Sequence, residues 1–125
     1  MIIATARDAE ALLVPLFSGC AGEKVVAAYL DGDLRLIRMT EAKHGSHDQV
    51  ELPIRSIIRE ALRLESAGLI VAHNHPSGDP HPSDEDLRAT RELARTARSL
   101  DIRLHDHLIV GADGDCRSLR ALGLL

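Results

Sequence analysis

Apolar and polar positions along this chain follow two periods, and the switches between them mark its elements. In residues 8–17, Ala9, Leu12, Leu13 and Leu16 recur at three and four, the spacing of one helix face. Pro15 lacks a backbone N–H, so it predicts a kink or an end there, and Gly19 and Gly22 break the helix further. Residues 24–30 are almost wholly apolar over strand length, which predicts a strand covered on both faces. Asp31-Gly32-Asp33 reads as a hairpin turn, with residues 34–39 as the returning strand. Residues 44–48 are polar and predict a loop, and 49–52 a short strand. Pro53 suits a first helical turn and opens a helix over 53–66. Its inward set is Ile54, Ile57, Ile58, Ala61 and Leu62, with Arg55, Arg59 and Arg63 on the wet face. A buried strand follows at 68–72, then a loop to Pro82, then a helix over 83–100 with Leu87, Thr90, Leu93, Ala94 and Ala97 inward. Residues 102–111 predict a strand, Asp113-Gly114-Asp115 a turn, and a short last strand comes next. The apolar tail 119–125 is either a helical turn or a contact with a second copy, as in a homodimer. Helices separate the strands, so the expected class is α/β, a mixed β-sheet flanked by helices.

Composition narrows the function classes. A length of 125 residues fits one domain, 1–125, with a real core. Phe17 and Tyr29 are the only aromatics, so that core is aliphatic. The formal charge of −4 and the lack of stacking rings argue against direct nucleic-acid binding. No apolar run has membrane length, and the first residues lack a basic stretch followed by a long apolar one, so neither a membrane span nor a secretory leader is expected. Cys20 and Cys116 make no disulfide framework and read as inert, reduced thiols of a cytoplasmic protein.

The densest chemistry lies in residues 73–86, which hold three histidines, two serines, three prolines and four acids. His73 and His75 stand two apart at a strand end and so point to one face, with Asn74 directed to the other. Pro76, Pro80 and Pro82 stiffen the following loop, and Gly78 lets it turn. Asp86 sits eleven residues after His75, in the first turn of the next helix. Two imidazoles and a carboxylate, without cysteine, are a zinc ligand set that leaves a position open for water. Ser83 and Asp86 also fit a helix-capping pattern, which is common without any metal. His-x-His after a buried strand, a Pro/Gly loop and an acid at a helix start together favour the metal. Such a site needs a carboxylate to accept the water's proton, and spacing leaves Glu23, Glu41, Glu51 and Glu85 all open. An acid at the end of a buried central strand is the better placed of these.

His73-x-His75, seven residues, Ser83, two residues and Asp86 resemble the JAMM signature of JAB/MPN metalloproteases. The fuller run from His73 through Asp86 resembles the RadC branch of that family. The likeness extends to Glu23 and the strand after it, to Leu104-His105-Asp106-His107-Leu108-Ile109-Val110-Gly111, and to Ser118. It covers about residues 19–119. The resemblance implies a cytidine-deaminase-like α/β fold, Zn2+ held by His73, His75 and Asp86, Glu23 as general base and acid, and Ser83 stabilising the tetrahedral oxygen. It implies hydrolysis of peptide or isopeptide bonds, with a peptide or protein, such as a ubiquitin-like conjugate, as substrate. RadC proteins have also been tied to DNA repair, and some MPN domains are scaffolds. Scaffolds typically lose ligands, whereas this chain keeps all of them.

Two departures stand out. RadC proteins usually carry an N-terminal helix-hairpin-helix region, and about twenty residues here leave no room for one, so the catalytic domain alone is expected. The family often has Arg-Glu early in the helix before the motif, where this chain has Arg55-Ser56. Asp106 is either a partner behind a ligand histidine or a cap for a neighbouring loop, and His107 shares its strand. His81 is expected to be solvated, while His44 and His47 fall in a polar loop that either borders a groove or is plain loop.

Overall fold

The computed structural model of the chain describes residues 1–43 and 52–125. Among the described residues, five strands form one mixed sheet in the order β2-β1-β3-β4-β5, with β1 at Lys24–Leu30, β2 at Leu36–Lys43, β3 at Gly68–Asn74, β4 at Arg103–Val110 and β5 at Cys116–Ser118. Three helices, α1 at Ala6–Leu13, α2 at Ile54–Arg63 and α3 at Asp84–Ser99, cover its faces. The expected α/β class is therefore what the chain adopts. β3 and β4 are parallel, joined through α3, and the other pairings are antiparallel.

The two apolar runs explain the centre of the sheet. Every residue of β1 and of β3 is buried, because each strand has a sheet neighbour on both sides and helices above or below. Alternate side chains feed two cores. Val26, Ala28, Leu30, Ile70 and Ala72 pack with Ala9, Leu13 and Phe17 on the α1 side. Ala27, Tyr29, Leu69 and Val71 pack with Ile57, Ile58 and Ala61 of α2 and Leu93 and Ala97 of α3 on the other. Each such aliphatic side chain contributes about 1.5–3 kcal/mol on burial.

Several boundaries differ from the sequence expectation, each for a local reason. α1 starts at Ala6, because Thr5 and Asp8 form a capping box in front of it. It ends at Leu13, where Pro15 turns the chain into a short 3-10 segment at Val14–Phe17. Leu34 has φ 64 and belongs to the turn, so β2 begins at Leu36. That strand then runs four residues beyond Met39, since Thr40, Glu41 and Ala42 pair with Ala27, Val26 and Val25. α2 stops at Arg63, and Glu65 leaves the helix with φ 52. Pro53 is the residue before the helix rather than inside its first turn. β3 continues through His73 and Asn74. In the tail Leu119 is buried, while Leu122, on a turn, and the terminal Leu125 are exposed. The expected loop at 44–48, most of the short strand at 49–52, and His44, His47 and Glu51 lie outside the described residues. Among the described residues no helix is long and apolar enough to cross a membrane.

Candidate metal centre

The site forms at the C-terminal end of the parallel pair β3 and β4, where open α/β sheets place their ligands. His73 is the penultimate residue of β3, and its side chain lies on the face covered by α2 and α3. His75 extends the parallel ladder one step, its N–H donating to the Val110 carbonyl at 3.0 Å. The chain then turns sharply: Gly78 N–H donates to His75 O at 2.9 Å across Pro76 and Ser77, with proline at the position that favours its fixed φ. Gly78 has φ +87, and its carbonyl accepts from Ala112 N–H at 2.9 Å. A Cβ on Gly111 would stand 2.4 Å from that carbonyl oxygen, so glycine there lets the loop lie against the end of β4.

α3 brings the third group. Ser83 caps it: Ser83 Oγ accepts from Asp86 N–H at 3.0 Å, and Asp86 Oδ2 accepts from Ser83 N–H at 2.8 Å. The capping reading and the ligand reading of Asp86 coexist, because one carboxylate faces both the helix start and the histidines. His75 Nε2 lies 2.9 Å from Asp86 Oδ2, His73 Nε2 lies 3.2 Å from Asp86 Oδ1, and the two Nε2 atoms are 3.1 Å apart. His73, His75 and Asp86 are thus a group able to hold a metal ion.

The spacing and donor chemistry fit a metal. Three ligands each about 2 Å from a tetrahedral ion sit about 3.3 Å from one another. His75 Nδ1 faces the Asp79 carbonyl at 2.9 Å. A carbonyl only accepts, so Nδ1 carries the proton and Nε2 of the neutral ring is a bare lone pair. Burial pushes the Asp86 carboxyl up, but the hydrogen bond and charge of His73 and the bonds from Ser83 outweigh it and hold the group well below the ordinary carboxylate range. Three atoms that can each present a lone pair converge on this triangle, a donor set that suits a cation.

Behind the triangle, His73 Nδ1 lies 2.7 Å from His107 Nε2, and His107 Nδ1 lies 2.6 Å from Thr90 Oγ1. Burial, with the charge of His73, pushes the His107 imidazole well below its ordinary value, which favours its neutral form. Asp106 points to the opposite face. It accepts from Ser118 Oγ at 2.5 Å and from the backbone N–H groups of His107 and Arg120, so it caps the C-terminal turn. Of its two expected roles the structure takes the cap, and the partner behind His73 is His107.

Glu23 is half-buried and shares a cleft of about 1280 Å³ with His73, His75, Ser83, Asp86 and His107. The β1–β3 register pairs Val25 with His73, which brings Glu23 level with His75. Asn74 holds it there: Oδ1 accepts from Lys24 N–H at 2.8 Å, and Nδ2 donates to Gly22 O at 3.0 Å, gripping the backbone on either side of Glu23. The other candidate bases separate. Glu41 pairs with Lys24 Nζ at 3.6 Å and lines a different depression on the β2 and α2 side. Glu85 reaches the cleft but is exposed on the first turn of α3. The exposed His81 lies 3.5 Å from Asp79. Sequence reasoning missed His107, Thr90 and Asn74 as parts of the site. For Thr90 the only signal was a polar residue on the inward stripe of its helix, and for Asn74 its place between two ligands.

Fold and site together define an α/β domain with a candidate two-histidine, one-aspartate metal centre at the end of its parallel strands. Residues 3–124 match the RadC-like JAB domain family, and the chain belongs to it. It is 44% identical over 108 residues to a UPF0758 protein of Bordetella petrii, covering 86% of this chain and 48% of that protein. A UPF0758 protein of Chloroflexus aurantiacus is 39% identical over 122 residues, covering 98% of this chain and 53% of the relative. The chain spans about half the length of the curated relatives it matches. The five-stranded mixed sheet flanked by helices is consistent with a JAB/MPN fold.

Proposed function

We propose that this domain is a zinc-dependent hydrolase that cleaves peptide or isopeptide bonds with an activated water. The observation that carries this reading is the triangle of His73 Nε2, His75 Nε2 and the Asp86 carboxylate, with sides of 2.9–3.2 Å, opening into a cleft that also holds Glu23 and Ser83. Two imidazoles and one carboxylate leave a coordination position unused by protein, as catalytic zinc centres do. When bound, zinc supplies Lewis acidity that makes water nucleophilic near neutral pH and polarises a carbonyl. Glu23 takes the water's proton and returns it to the leaving amine. Ser83 Oγ accepts from Asp86 N–H, a bond that leaves its own proton available for the oxygen that becomes negative. Leu52, Ile54 and Ile58 wall one side of the cleft, and Arg55 and Arg88 add charge, a lining that suits an extended polypeptide such as the tail of a ubiquitin-like conjugate. The free thiols of Cys20 and Cys116 support a cytoplasmic setting. The test compares cleaved proteins in cells carrying wild type, Glu23→Gln or His75→Ala, with zinc content measured on each purified protein. Glu23→Gln is expected to keep zinc and lose about 10²–10⁴ in turnover, and His75→Ala to lose both. A fully active Glu23→Gln protein refutes the mechanism.

A nucleic-acid-associated role is the second reading, and one observation favours it. Arg55, Arg59 and Arg63 lie along the outer side of α2, and Arg88, Arg91, Arg95 and Arg98 along that of α3, all seven exposed. Both helices cover the sheet face that carries the cleft, and within a net charge of −4 each helix carries a row of exposed arginines, with Arg63 paired to Glu60. Duplex binding that weakens steeply with salt supports this reading, and no binding at low salt rejects it.

A further inference from the structure

The proton positions around His107 follow from one hydroxyl. Thr90 Oγ1 lies 2.6 Å from the Asp86 carbonyl oxygen, which can only accept, so the single Thr90 hydroxyl proton is committed there. The other close partner of Thr90 Oγ1 is His107 Nδ1, at 2.6 Å. With its proton in use, the hydroxyl oxygen accepts, and His107 Nδ1 carries the N–H. His107 is 1% exposed and, among the described residues, its ring bonds to His73 and Thr90 and to no carboxylate, so burial favours the neutral ring, whose Nε2 is then an acceptor. His73 Nδ1, 2.7 Å away, must then donate. That assignment holds whether His73 is neutral or protonated, since both forms can carry hydrogen on Nδ1.

We propose that Thr90 and His107 form a positioning relay that fixes His73 as its Nδ1–H form and so presents the Nε2 lone pair to the metal. The relay runs from the ligand on β3 through β4 to α3. It ends on the backbone carbonyl of Asp86, the residue that supplies the third ligand. Two ligands from different elements are thereby tied together by buried hydrogen bonds. Without the Thr90 hydroxyl, His107 Nδ1–H has no acceptor. The ring is then driven to carry its proton on Nε2, which pushes the His73 proton onto the atom the metal needs. The inference shares the zinc reading of the site but is independent of any hydrolysis.

The experiment uses the whole chain with ¹⁵N-labelled histidine. Long-range ¹H–¹⁵N spectra assign the protonated nitrogen of His73 and His107, metal-free and with zinc. Zinc dissociation constants come from competition with a chelator. Wild type is expected to show Nδ1–H on both rings. Thr90→Val, which keeps the side-chain shape, is expected to populate Nε2–H on His107 and to weaken zinc about 10–100-fold. Thr90→Ser is expected to restore both. A wild-type His107 protonated on Nε2 overturns the relay, whatever the variants do. So does a Thr90→Val protein with unchanged spectra and zinc affinity, or a Thr90→Ser protein as impaired as Thr90→Val. Because no arm measures cleavage, a protein that hydrolyses nothing can still pass, and one that hydrolyses well can still fail.

Discussion

Asp86 has two functions that respond differently to metal, and removing it separates them. Its Oδ2 accepts from Ser83 N–H at 2.8 Å, half of the box that caps α3, and the same carboxylate lies 2.9 Å and 3.2 Å from the two histidine nitrogens. Losing a helix cap costs about 1 kcal/mol. In a domain of this length that lowers Tm by roughly 3–6 °C, with or without metal. Losing a ligand acts only when metal is present. Zinc at about 100 times its Kd stabilises the folded chain by about 2.7 kcal/mol, which is roughly 10 °C on the same scale. Ser83→Ala is therefore expected to melt a few degrees lower and to keep the zinc-induced rise. His75→Ala removes no cap and is expected to lose the rise. Asp86→Ala is expected to show both defects, melting lower in chelator and failing to respond to zinc. The assay is a thermal melt of each variant in chelator and across a zinc titration. An Asp86→Ala protein that retains the full zinc-induced rise refutes the ligand assignment, and a Ser83→Ala protein that loses it refutes the separation of the two functions.

Asn74→Ala releases the backbone on both sides of Glu23 while leaving the three metal ligands in place. Its expected signature is a fall in turnover with an unchanged zinc-induced rise in Tm, and an unchanged turnover counts against the clamp. Burial, then the charges of Glu10, Asp106 and Asp115, pushes the Cys116 thiol from 9.0 up to about 12. The unfolded thiol ionises near 9 while the folded one stays protonated, so the unfolded state binds fewer protons in that window and stability falls as pH rises from 9 toward 12. Cys116→Ala is expected to flatten the alkaline loss of Tm between pH 9 and 11, and identical slopes in the two proteins would exclude the thiol as its source.

The arrangement of protons and charges in the site ties these outcomes to the fold. β3 and β4 must be parallel neighbours for His73 to meet His107, because their register places Val71 beside His107 and Ile109 beside His73 on one face. α3 must start where Ser83 caps it for Asp86 to reach back. The β1–β3 pairing brings Glu23 in from fifty residues upstream of His73. The short motif supplies the triangle of ligands, and the connections between elements bring His107 and Glu23 to it.

Local patterns determined much of this protein before any contact was known. The apolar runs in β1 and β3 marked central strands, since only a strand covered on both faces can be apolar at every position. The spacing of His73, His75, Ser83 and Asp86 marked the candidate ligands and the cap, because alternation on a strand and the first turn of a helix are short-range geometry. Helix ends near Arg63 and Leu13 and the extension of β2 to Lys43 were less legible, since propensity is weak there and pairing with β1 decides the strand's length. The choice between Asp106 and His107 behind His73 lay beyond the sequence. The two residues are adjacent on one strand and so face opposite sides, and only the register of β4 against β3, including its irregularity between Leu69 and Ile70, sets which one faces the histidine. Thr90 read as an inward polar residue and Asn74 as one directed to the face opposite the histidines. Tertiary structure decided what they do, because a hydrogen bond across 17 or 50 residues depends on where the chain returns.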